Sequence, residues 1–592
     1  MCGIFGFVST NPKNPTEILR GLKILEYRGY DSWGIAMKTK KSKLIVQKDT
    51  GKIGNSKLNS QFSNLNSQLG IGHTRWATHG NVTVENAHPH LDCTKTLAVV
   101  HNGIIENFEE LKRELIKKGH KFLSQTDTEV FIHLVEENLK STGFATAVRN
   151  AFNSIKGLNA VVVINSVSKE IIACKNGSPL IVGVSKDGYF IASDVSALLK
   201  HTNKIIVLKD NQMVILGDKL KLLELPSGNA VAPNIETSKS NVQNQTKGKF
   251  KHFLLKEIYD QPEILLNIPK LSKKDINRLA TSIDKAFGTF MLGCGSASYA
   301  ALAGEYFFSK IAKRHINFSV GSEFEYIQDF ITRKSLIIPI SQSGETIDVI
   351  EPVRNAKQKG ATIVSVVNSE NSTLARMSEF SVFLNAGSEK AVVGTKSFTT
   401  MVGILLLTAF SLAEKEEIGI KLLKKAYLDT KNIISKNSIN DIKKLARKLK
   451  GKEHVFTIGR GISYVTAIEA ALKLKETALI HAEGFAGGEL KHGVIALIEK
   501  GTPCIVFAPN DETYNDIVSN AQEIKARGGY IIGIGPRKNS VFDEFLKTGD
   551  IAEATIISQV VYMQLLAYYL ALERKIEDPD KPRNLAKSVT VK

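Results

Sequence analysis

The sequence predicts a multidomain α/β protein in which a β-rich layered domain precedes two duplicated, doubly wound α/β domains. Up to about residue 225, short apolar runs separated by Gly, Asn and Asp predict many strands. From about residue 252, apolar strands alternate with long helical patterns, as in parallel sheets. This second part also repeats itself, which indicates duplication.

The first part of the chain is predicted to form a domain at residues 2–225. Its apolar runs GIFGFV, LAVVHNG, AVVVI, LIVGV and MVIL predict strands, whereas 107–118 and 128–139 predict helices. The stretch 226–251 is rich in Ser, Asn, Gln and Lys and has no apolar period. We therefore expect a linker there.

The duplication is visible in two pairs of segments. TFMLGCGSASYAALAGEYF matches VFTIGRGISYVTAIEAALK, which sets Gly293 opposite Gly459 at an offset of 166. SGETIDVIEPVRNAKQKGATIVSVV matches NDETYNDIVSNAQEIKARGGYIIGI, which sets Glu345 opposite Glu512 at an offset of 167. Each copy is expected to bind ligands at the carboxyl ends of its strands. The expected boundaries are 252–435 and 436–581, followed by a C-terminal tail at 582–592.

Composition argues against several function classes. The net charge is +19, but the basic residues are spread along the chain and no nucleic-acid-binding motif is present. The chain opens without a signal-peptide pattern, so a cytoplasmic location is expected. The five cysteines form no CxxC pair, which argues against a disulfide framework or a zinc site. The apolar stretch 551–572 contains Ser558, Gln559 and Gln564, and we expect a buried core helix rather than a membrane span.

A polar loop follows a predicted strand in the first copy, with the sequence SQSGET at residues 341–346. Hydroxyls and a glycine at a strand-to-helix turn suit a phosphate, because free backbone N–H groups and the positive helix end face it. The second copy has Asp511 in the matching loop, and this carboxylate would repel a phosphate. From the residues alone, an ordinary serine-rich helix cap explains the first loop equally well.

Cys2 is a candidate nucleophile. If Met1 is removed, the thiol lies beside a free α-amino group that can act as its general base. A small buried apolar side chain in an edge strand is the alternative, and a Met-Cys start alone favours that alternative.

Five motifs in the first domain favour the interpretation of Cys2 as a nucleophile over that of a buried apolar side chain. Together they resemble the glutaminase domain of the glucosamine-6-phosphate synthase family, which implies an N-terminal-nucleophile fold with layered αββα architecture. In chain order the motifs are CGIFG from Cys2, EYRGYDS from Glu26, HTRWATHG from His73, HNGIIEN from His101 and TDTE from Thr126.

The glutaminase chemistry can be assigned to particular residues. Thiolate attack by Cys2 on an amide creates an oxyanion, and the Asn102 side chain and Gly103 N–H suit its stabilisation. Arg75 suits the α-carboxylate of glutamine and Asp127 its α-ammonium group. The resemblance implies the same roles and adds pocket-lining positions at Trp76, Thr78 and His79. No acidic or cysteine partner has ligand spacing around the nearby histidines, so no metal is expected, and no cofactor.

The resemblance extends over nearly the whole chain, through KEIYDQP from Lys256 and PRNLAKSVTV from Pro582. It implies two sugar-isomerase domains. His492 would open the sugar ring, Glu476 would shift the proton between C1 and C2 with help from Lys473, and Lys587 would form an imine. A solvated salt-bridge helix is the alternative for residues 473–476. The implied sugar-phosphate contacts are Ser296, Ser341, Gln342, Ser343, Thr346, Val392 and Ala586.

Two positions depart from the family pattern. Ala297 and Gly394 stand where the family usually has hydroxyls, which affects the expected contacts to the sugar rather than the reaction class.

The expected activity is conversion of L-glutamine and fructose 6-phosphate to glucosamine 6-phosphate and glutamate. A homodimer joined through the isomerase domains is expected, with no nucleic-acid or membrane partner. The main alternative is a sugar-phosphate sensor with an inactive glutaminase half. A phosphoribosyl-type amidotransferase and a deglycase or plain isomerase that never uses glutamine are two further alternatives.

Overall fold

A computed structural model describes residues 2–54, 57–238 and 246–589. By its internal contacts the chain forms two compact units, Met1–Gln245 with Ala586–Lys592, and Thr246–Leu585. Of the expected linker, residues 239–245 lie outside the described residues, as do 590–592 of the expected tail.

The described residues of the first unit form antiparallel strands and five α-helices. The strands are β1 Gly3–Lys13, β2 Ser32–Lys38, β3 Leu44–Thr50, β4 Ser67–Arg75, β5 His90–Leu91, β6 Leu97–Gly103, β7 Asn159–Asn165, β8 Ile171–Asn176, β9 Ile181–Ser185, β10 Gly188–Ala192, β11 Lys204–Val207, β12 Gln212–Leu216, β13 Leu220–Glu224, β14 Ala230–Val231 and β15 Glu236–Thr237. The helices are α1 Pro15–Leu25, α2 Ser60–Ser63, α3 Phe108–Lys117, α4 Thr128–Leu139 and α5 Phe144–Ser154.

These strands form two stacked sheets with helices on their outer faces. One sheet has the order β15-β11-β9-β10-β1-β4-β2-β3 and the other β14-β13-β12-β8-β7-β6-β5. Alternate side chains of β1 and β6, such as Ile4 and Val100, share the core between the sheets. Phe5 and Leu22 pack in a second core against α1, and Val99 and Phe131 in a third against α4 and α5. The expected αββα layering is confirmed.

The second unit begins with a long helix and then alternates strands and helices. The helices are α6 Phe253–Lys285, α7 Ser296–Phe307, α8 Gly321–Phe324, α9 Ile347–Gln358, α10 Thr373–Met377, α11 Lys396–Leu412, α12 Glu416–Ile433, α13 Lys436–Leu449, α14 Ile462–Ala478, α15 Tyr514–Lys525 and α16 Thr555–Glu573. The strands are β16 Gly288–Gly293, β17 Asn317–Val320, β18 Ser335–Ser341, β19 Thr362–Val367, β20 Phe380–Phe383, β21 His454–Gly459, β22 His481–Ala486, β23 Pro503–Phe507, β24 Tyr530–Gly535 and β25 Glu544–Lys547.

Two parallel five-stranded sheets carry the duplication. Their orders are β17-β16-β18-β19-β20 and β22-β21-β23-β24-β25, which are the same topology. Gly295 before α7 has φ 56° and ψ −134°, and Gly461 before α14 has φ 54° and ψ −132°. The matching helix starts lie at the offset of 166 that the sequence predicts, so the duplicated doubly wound fold is confirmed.

The most apolar helix lies in the core of the second unit. Residues 552–573 are long and apolar enough to cross a membrane, with a mean hydropathy of 1.4, but 94% of that apolar window is buried inside the fold. Gln559, in the first part of this helix, accepts hydrogen bonds from the Ser463 and Thr466 hydroxyls of α14 at 3.0 and 2.9 Å. This burial explains the apolar composition of the segment.

Two short strands lie within the stretch 226–251. β14 pairs with β13, and β15 pairs with β11 at the edge of the larger sheet. Their two-residue pairings are too short to produce an apolar period in the sequence.

Candidate active site

Cys2 lies at the entrance to β1, beside the carboxyl end of β4. Its Sγ accepts a hydrogen bond from the Trp76 N–H at 3.3 Å and lies 3.6 Å from the Trp76 carbonyl oxygen. Burial raises the pKa of the Cys2 thiol, and the Trp76 N–H and Arg75 only partly offset this effect. The thiol therefore needs a base before it can attack a substrate.

The Asn102 side chain is fixed next to Cys2. Its Nδ2 donates to the Cys2 carbonyl oxygen at 3.0 Å. The His73 Nε2 lies 3.1 Å from Asn102 Oδ1 and 2.9 Å from the His101 carbonyl oxygen. Since both partners are acceptors, His73 Nε2 carries the proton, and burial lowers the pKa of His73 to about 3. A neutral His73 thus holds the amide that was predicted to stabilise an oxyanion.

Arg75 ends β4 as a buried cation. Its guanidinium donates to the carbonyl oxygens of His79, Gly80 and Asn81. Burial lowers the pKa of Arg75, and Asp31 and Asp127 act in the opposite direction. Among the described residues no carboxylate lies within ion-pair distance of Arg75. The side chain can therefore still receive the carboxylate of a ligand.

Asp127 precedes α4, and one of its carboxylate oxygens accepts from the Ile105 N–H at 2.7 Å. Of the other predicted pocket residues, Trp76 and His79 are half-buried and Thr78 is exposed on the loop after β4. Asp31 was not singled out from the sequence, but its carboxylate accepts from the Ala77 N–H at 2.8 Å. It therefore holds the loop that carries these residues.

A second cluster lies in the second unit, around the Lys473 ammonium group on α14. Lys473 Nζ lies 2.7 Å from Glu476, 3.3 Å from Glu469 and 3.1 Å from the Ser296 hydroxyl. It also donates to the Gly394 carbonyl oxygen at 3.2 Å. Lys473 is 1% exposed, which rules out a solvated salt-bridge helix at this position.

Glu469 belongs to this cluster but was not predicted from the sequence. It is fully buried, and its Oε1 accepts from the Ser296 hydroxyl at 3.1 Å. Burial raises the pKa of Glu469 to about 7. Burial also lowers the pKa of Lys473, but Glu469 and Glu476 outweigh it and raise that pKa above its usual value. The spacing Glu469, Lys473, Glu476 places all three on one helix face and could have revealed the residue.

The predicted phosphate loop joins β18 to α9. Ser341 accepts from the Gly344 N–H at 3.0 Å and lies 3.3 Å from the Thr346 hydroxyl, while Ser343 accepts from the Glu345 N–H at 3.1 Å. The Glu345 carboxylate accepts from the N–H and hydroxyl of Thr373, each at 2.8 Å. The loop is thus anchored to α10. Gln342 is the remaining predicted residue on the loop.

In the second copy, the matching loop carries an acidic side chain, Asp511, close to the start of α15. Asp511 accepts from the Thr513 N–H at 2.8 Å and from the Thr513 hydroxyl at 2.6 Å, so a carboxylate already sits at the start of α15. Neither α9 nor α15 has a side-chain cap hydrogen bond at its start. The two loops differ in the Asp511 carboxylate, which would repel a ligand anion at the start of α15, whereas the first loop has hydroxyl groups there.

Val392 and Gly394 lie on the loop before α11. Val392 donates its N–H to the Asp580 carbonyl oxygen at 2.9 Å. A Cβ on Gly394 would meet its nearest atoms, the hydroxyls of Ser397 and Ser296, at 3.6 and 3.9 Å. The space would thus accommodate a serine, and the departure from the family pattern is not imposed by packing. Ala297 is half-buried at the start of α7.

His492 is not joined to the Lys473 cluster. His492 is exposed at the end of the short helix Gly487–His492, and within the described part of the chain it makes no hydrogen bond to Glu476 or Lys473. Ala586 and Lys587 are half-buried and belong to the compact unit formed with Met1–Gln245.

Models of known protein families match both halves of the chain. Residues 73–200 match the model of a glutamine amidotransferase domain, and residues 283–411 and 448–574 each match that of the SIS domain. A solved C-terminal domain of glucosamine-fructose-6-phosphate aminotransferase from Francisella tularensis covers 56% of this chain and 98% of its own, with 32% identity and a TM-score of 0.52.

Curated relatives align over their full length. The chain is 41% identical over 601 residues to a protein of Pyrococcus horikoshii and 39% identical over 601 residues to one of Aquifex aeolicus, with 100% of both chains covered in each case. Both relatives are named glutamine–fructose-6-phosphate aminotransferase (isomerizing). The chain therefore belongs to the family of the isomerizing glutamine–fructose-6-phosphate aminotransferases.

Proposed function

We propose that this enzyme releases ammonia from L-glutamine in its first unit and uses it to convert fructose 6-phosphate to glucosamine 6-phosphate. The observation that carries the proposal is the presence of two separate reactive clusters, around Cys2 and around Lys473, in a chain that matches its named relatives from end to end. A sensor with an inactive glutaminase would not need the ordered Cys2 environment.

In the glutaminase half, the Cys2 thiolate attacks the side-chain amide of glutamine. The amide nitrogen leaves as ammonia after protonation, and water then releases glutamate from the thioester. Asn102, oriented by His73, and the Gly103 N–H would stabilise the oxyanion of the intermediate. Arg75 and Asp127 would bind the two charged ends of the substrate.

In the isomerase half, the phosphate of the sugar would bind at the start of α9. Ser341, Gln342, Ser343 and Thr346 lie in or next to the loop that leads into α9 and would bind the phosphate, and Ser296 would contribute from α7. Val392 and Ala586 are proposed as further sugar contacts. The open carbon chain would then lie against Lys473 and Glu476, which are adjacent to Ser296.

The chemical steps need a base and an amine. Glu476 would take the proton from C1 and return it at C2, because it is the less buried of the two carboxylates bound to Lys473. Lys587 would form an imine with the C2 carbonyl and lose water, and ammonia would later displace the lysine.

We further propose that the active form is a homodimer. His492 is the expected acid for ring opening, yet it is exposed and makes no hydrogen bond to the Lys473 cluster in the described part of one chain. A second copy that is joined through the isomerase domains would bring its own His492 to that cluster. We place the enzyme in the cytoplasm, since its sugar substrate is a phosphorylated metabolite.

The proposal predicts that the two half-reactions can be removed separately. Cys2→Ala should lower glutamate release by about a thousandfold or more, because no nucleophile remains. Glu476→Gln should retain glutamate release but make no amino sugar. Both products are measured by chromatography in one assay. Amino-sugar formation by Glu476→Gln at the wild-type rate would contradict the assignment of the base.

A further inference from the structure

A cluster of metal-ligating side chains lies away from the Cys2 site in the first unit. Cys93 is in the loop between β5 and β6, His120 follows α3, and His133 and Glu136 are on α4. One ligand atom from each of these residues lies within 4.8 Å of the other three. The cluster joins segments that are otherwise far apart in the sequence.

We propose that these four side chains bind one zinc ion. Cys93 Sγ is 3.7 Å from His133 Nδ1 and 3.9 Å from His120 Nδ1. Ligands at zinc-bond lengths in a tetrahedron are separated by roughly 3.3–3.8 Å. The carboxylate oxygen of Glu136 lies 2.9 and 3.0 Å from the same two nitrogens, so it would move outward by about 0.3 Å when the ion enters.

The outer nitrogens of both histidines face carboxylates. His120 Nε2 is 3.1 Å from Glu137, and His133 Nε2 is 3.7 Å from Glu129. Glu129 is itself held by the N–H groups of Leu123 and Ser124 at 2.7 and 2.6 Å. In zinc sites a carboxylate within hydrogen-bond distance, as Glu137 is of His120, fixes the ring so that the other nitrogen faces the metal, whereas the 3.7 Å between His133 and Glu129 exceeds that distance. Both rings here present Nδ1 to the common centre.

The donor set and the burial favour zinc over a hard cation. Thiolates, imidazoles and carboxylates are all zinc ligands, whereas calcium and magnesium require oxygen ligands. The His133 and His120 side chains are 1% and 4% exposed, while Cys93 is exposed. An ion could therefore enter from the Cys93 side and be covered by the other three ligands.

The zinc ion would stabilise the elements that position the glutamine site and would take no part in the reaction there. The Cys93 loop leads into β6, which ends at Asn102 and Gly103, and α4 starts directly after Asp127. Zinc would tie these two elements together at the end opposite the substrate groups. No metal was predicted from the sequence, because the five cysteines form no CxxC pair and the histidines near His79 lack partners at ligand spacing. The spacing of the four ligands proposed here matches no standard motif.

The test is zinc binding by the full-length protein after removal of metals. We expect about one zinc per chain to be retained through gel filtration in the wild type. Cys93→Ser should weaken zinc binding at least tenfold, whereas Cys294→Ser, which removes another free thiol, should retain the ion. Equal zinc contents in wild type and Cys93→Ser, or no zinc in the wild type, would overturn the proposal and leave a hydrogen-bonded cluster.

Cobalt replacement gives a second test that does not depend on any variant folding. Co²⁺ added to the metal-free wild type should give a thiolate-to-cobalt charge-transfer band and the visible spectrum of a tetrahedral site. An octahedral spectrum without the thiolate band would contradict the proposed ligands. Neither experiment uses catalytic activity, so the result is independent of the proposed reaction.

Discussion

At the scale of a single residue, burial changes the protonation of the Glu469 carboxyl group in the second unit. Its carboxyl group has no exposed surface, accepts from the Ser296 hydroxyl and shares Lys473 with Glu476. One of its oxygens, Oε2, has no hydrogen-bond partner among the described residues. The protonated form of Glu469 is therefore favoured, with its pKa raised to about 7 by burial.

This shift predicts a change in stability with pH. Because the folded-state pKa lies above the ordinary value of 4.5, the folded state retains a proton that the unfolded state has lost. The contribution to stability is full below about pH 4.5 and is lost as the pH rises through about 7. Glu469→Gln cannot ionise, so its stability relative to wild type should improve by up to about 3 kcal/mol across that window.

Melting temperatures at about pH 5 and about pH 8 check this prediction for wild type and Glu469→Gln. The exposed Glu323→Gln in the same unit is the control and should follow the wild type at both values. A constant difference between Glu469→Gln and wild type would show that Glu469 does not titrate in this range.

The chemical roles of residues could be predicted where the residues belong to a recognisable motif. They could not be predicted where they depend on contacts between distant segments of the chain. The Cys2, Arg75 and Asn102 motifs indicated a glutaminase, and the structure places the Asn102 side chain against the main-chain carbonyl of Cys2. The support from His73 and Asp31 depends on the pairing of β4 with neighbouring strands, which no local pattern contains. Their roles, like those of the other site residues, remain predictions.

At the scale of elements, the loop from β18 to α9 decides where an anion can bind. Gly344 has φ 67°, and a Cβ there would lie 2.2 Å from the Ser372 hydroxyl oxygen. Ser372 caps α10, so the loop cannot move away without disturbing that helix. The loop conformation therefore depends on glycine at this position.

Gly344→Ala should accordingly weaken sugar binding. We expect the KM for fructose 6-phosphate to rise about tenfold or more, because a left-handed backbone and a close contact are both strained. Glutamate release without sugar should be unchanged. Steady-state kinetics with each substrate measures both effects.

Gly360→Ala is the matched control for this change. Gly360 follows the other end of α9 with φ 89°, and an added Cβ would contact the Arg333 side chain at 2.7 Å. Its substitution should cost comparable stability without affecting the KM for the sugar. Equal KM increases in the two variants would show that general destabilisation, rather than the phosphate loop, is responsible.

Element boundaries were predictable where periodicity was strong. The helix expected at 128–139 is α4, Thr128–Leu139, and the helix expected at 107–118 is α3, Phe108–Lys117. The strand pairings that combine β14 and β15 with the sheets could not be read from the sequence, because two-residue strands carry no period.

At the scale of the whole molecule, the two duplicated domains share the same close contact between strand and helix but differ in the loops before α9 and α15. Gly293 and Gly459 each let the following helix approach its strand closely, since a Cβ would meet backbone at 2.7 and 2.0 Å. Neither α9 nor α15 has a side-chain cap hydrogen bond, but the loop before α15 contains the Asp511 carboxylate and the loop before α9 contains hydroxyl groups. The two copies thus share one backbone frame, and only the second has an acidic side chain that would repel an anion there.

The central claim is that one chain transfers the amide nitrogen of glutamine to a sugar phosphate. Mass spectrometry of the products formed from amide-¹⁵N glutamine and fructose 6-phosphate tests it most directly, with Cys2→Ala and Lys587→Ala as controls. The account predicts ¹⁵N-labelled glucosamine 6-phosphate from the wild type alone. Glutamate without labelled amino sugar from the wild type would contradict it and would assign the nitrogen to a different acceptor.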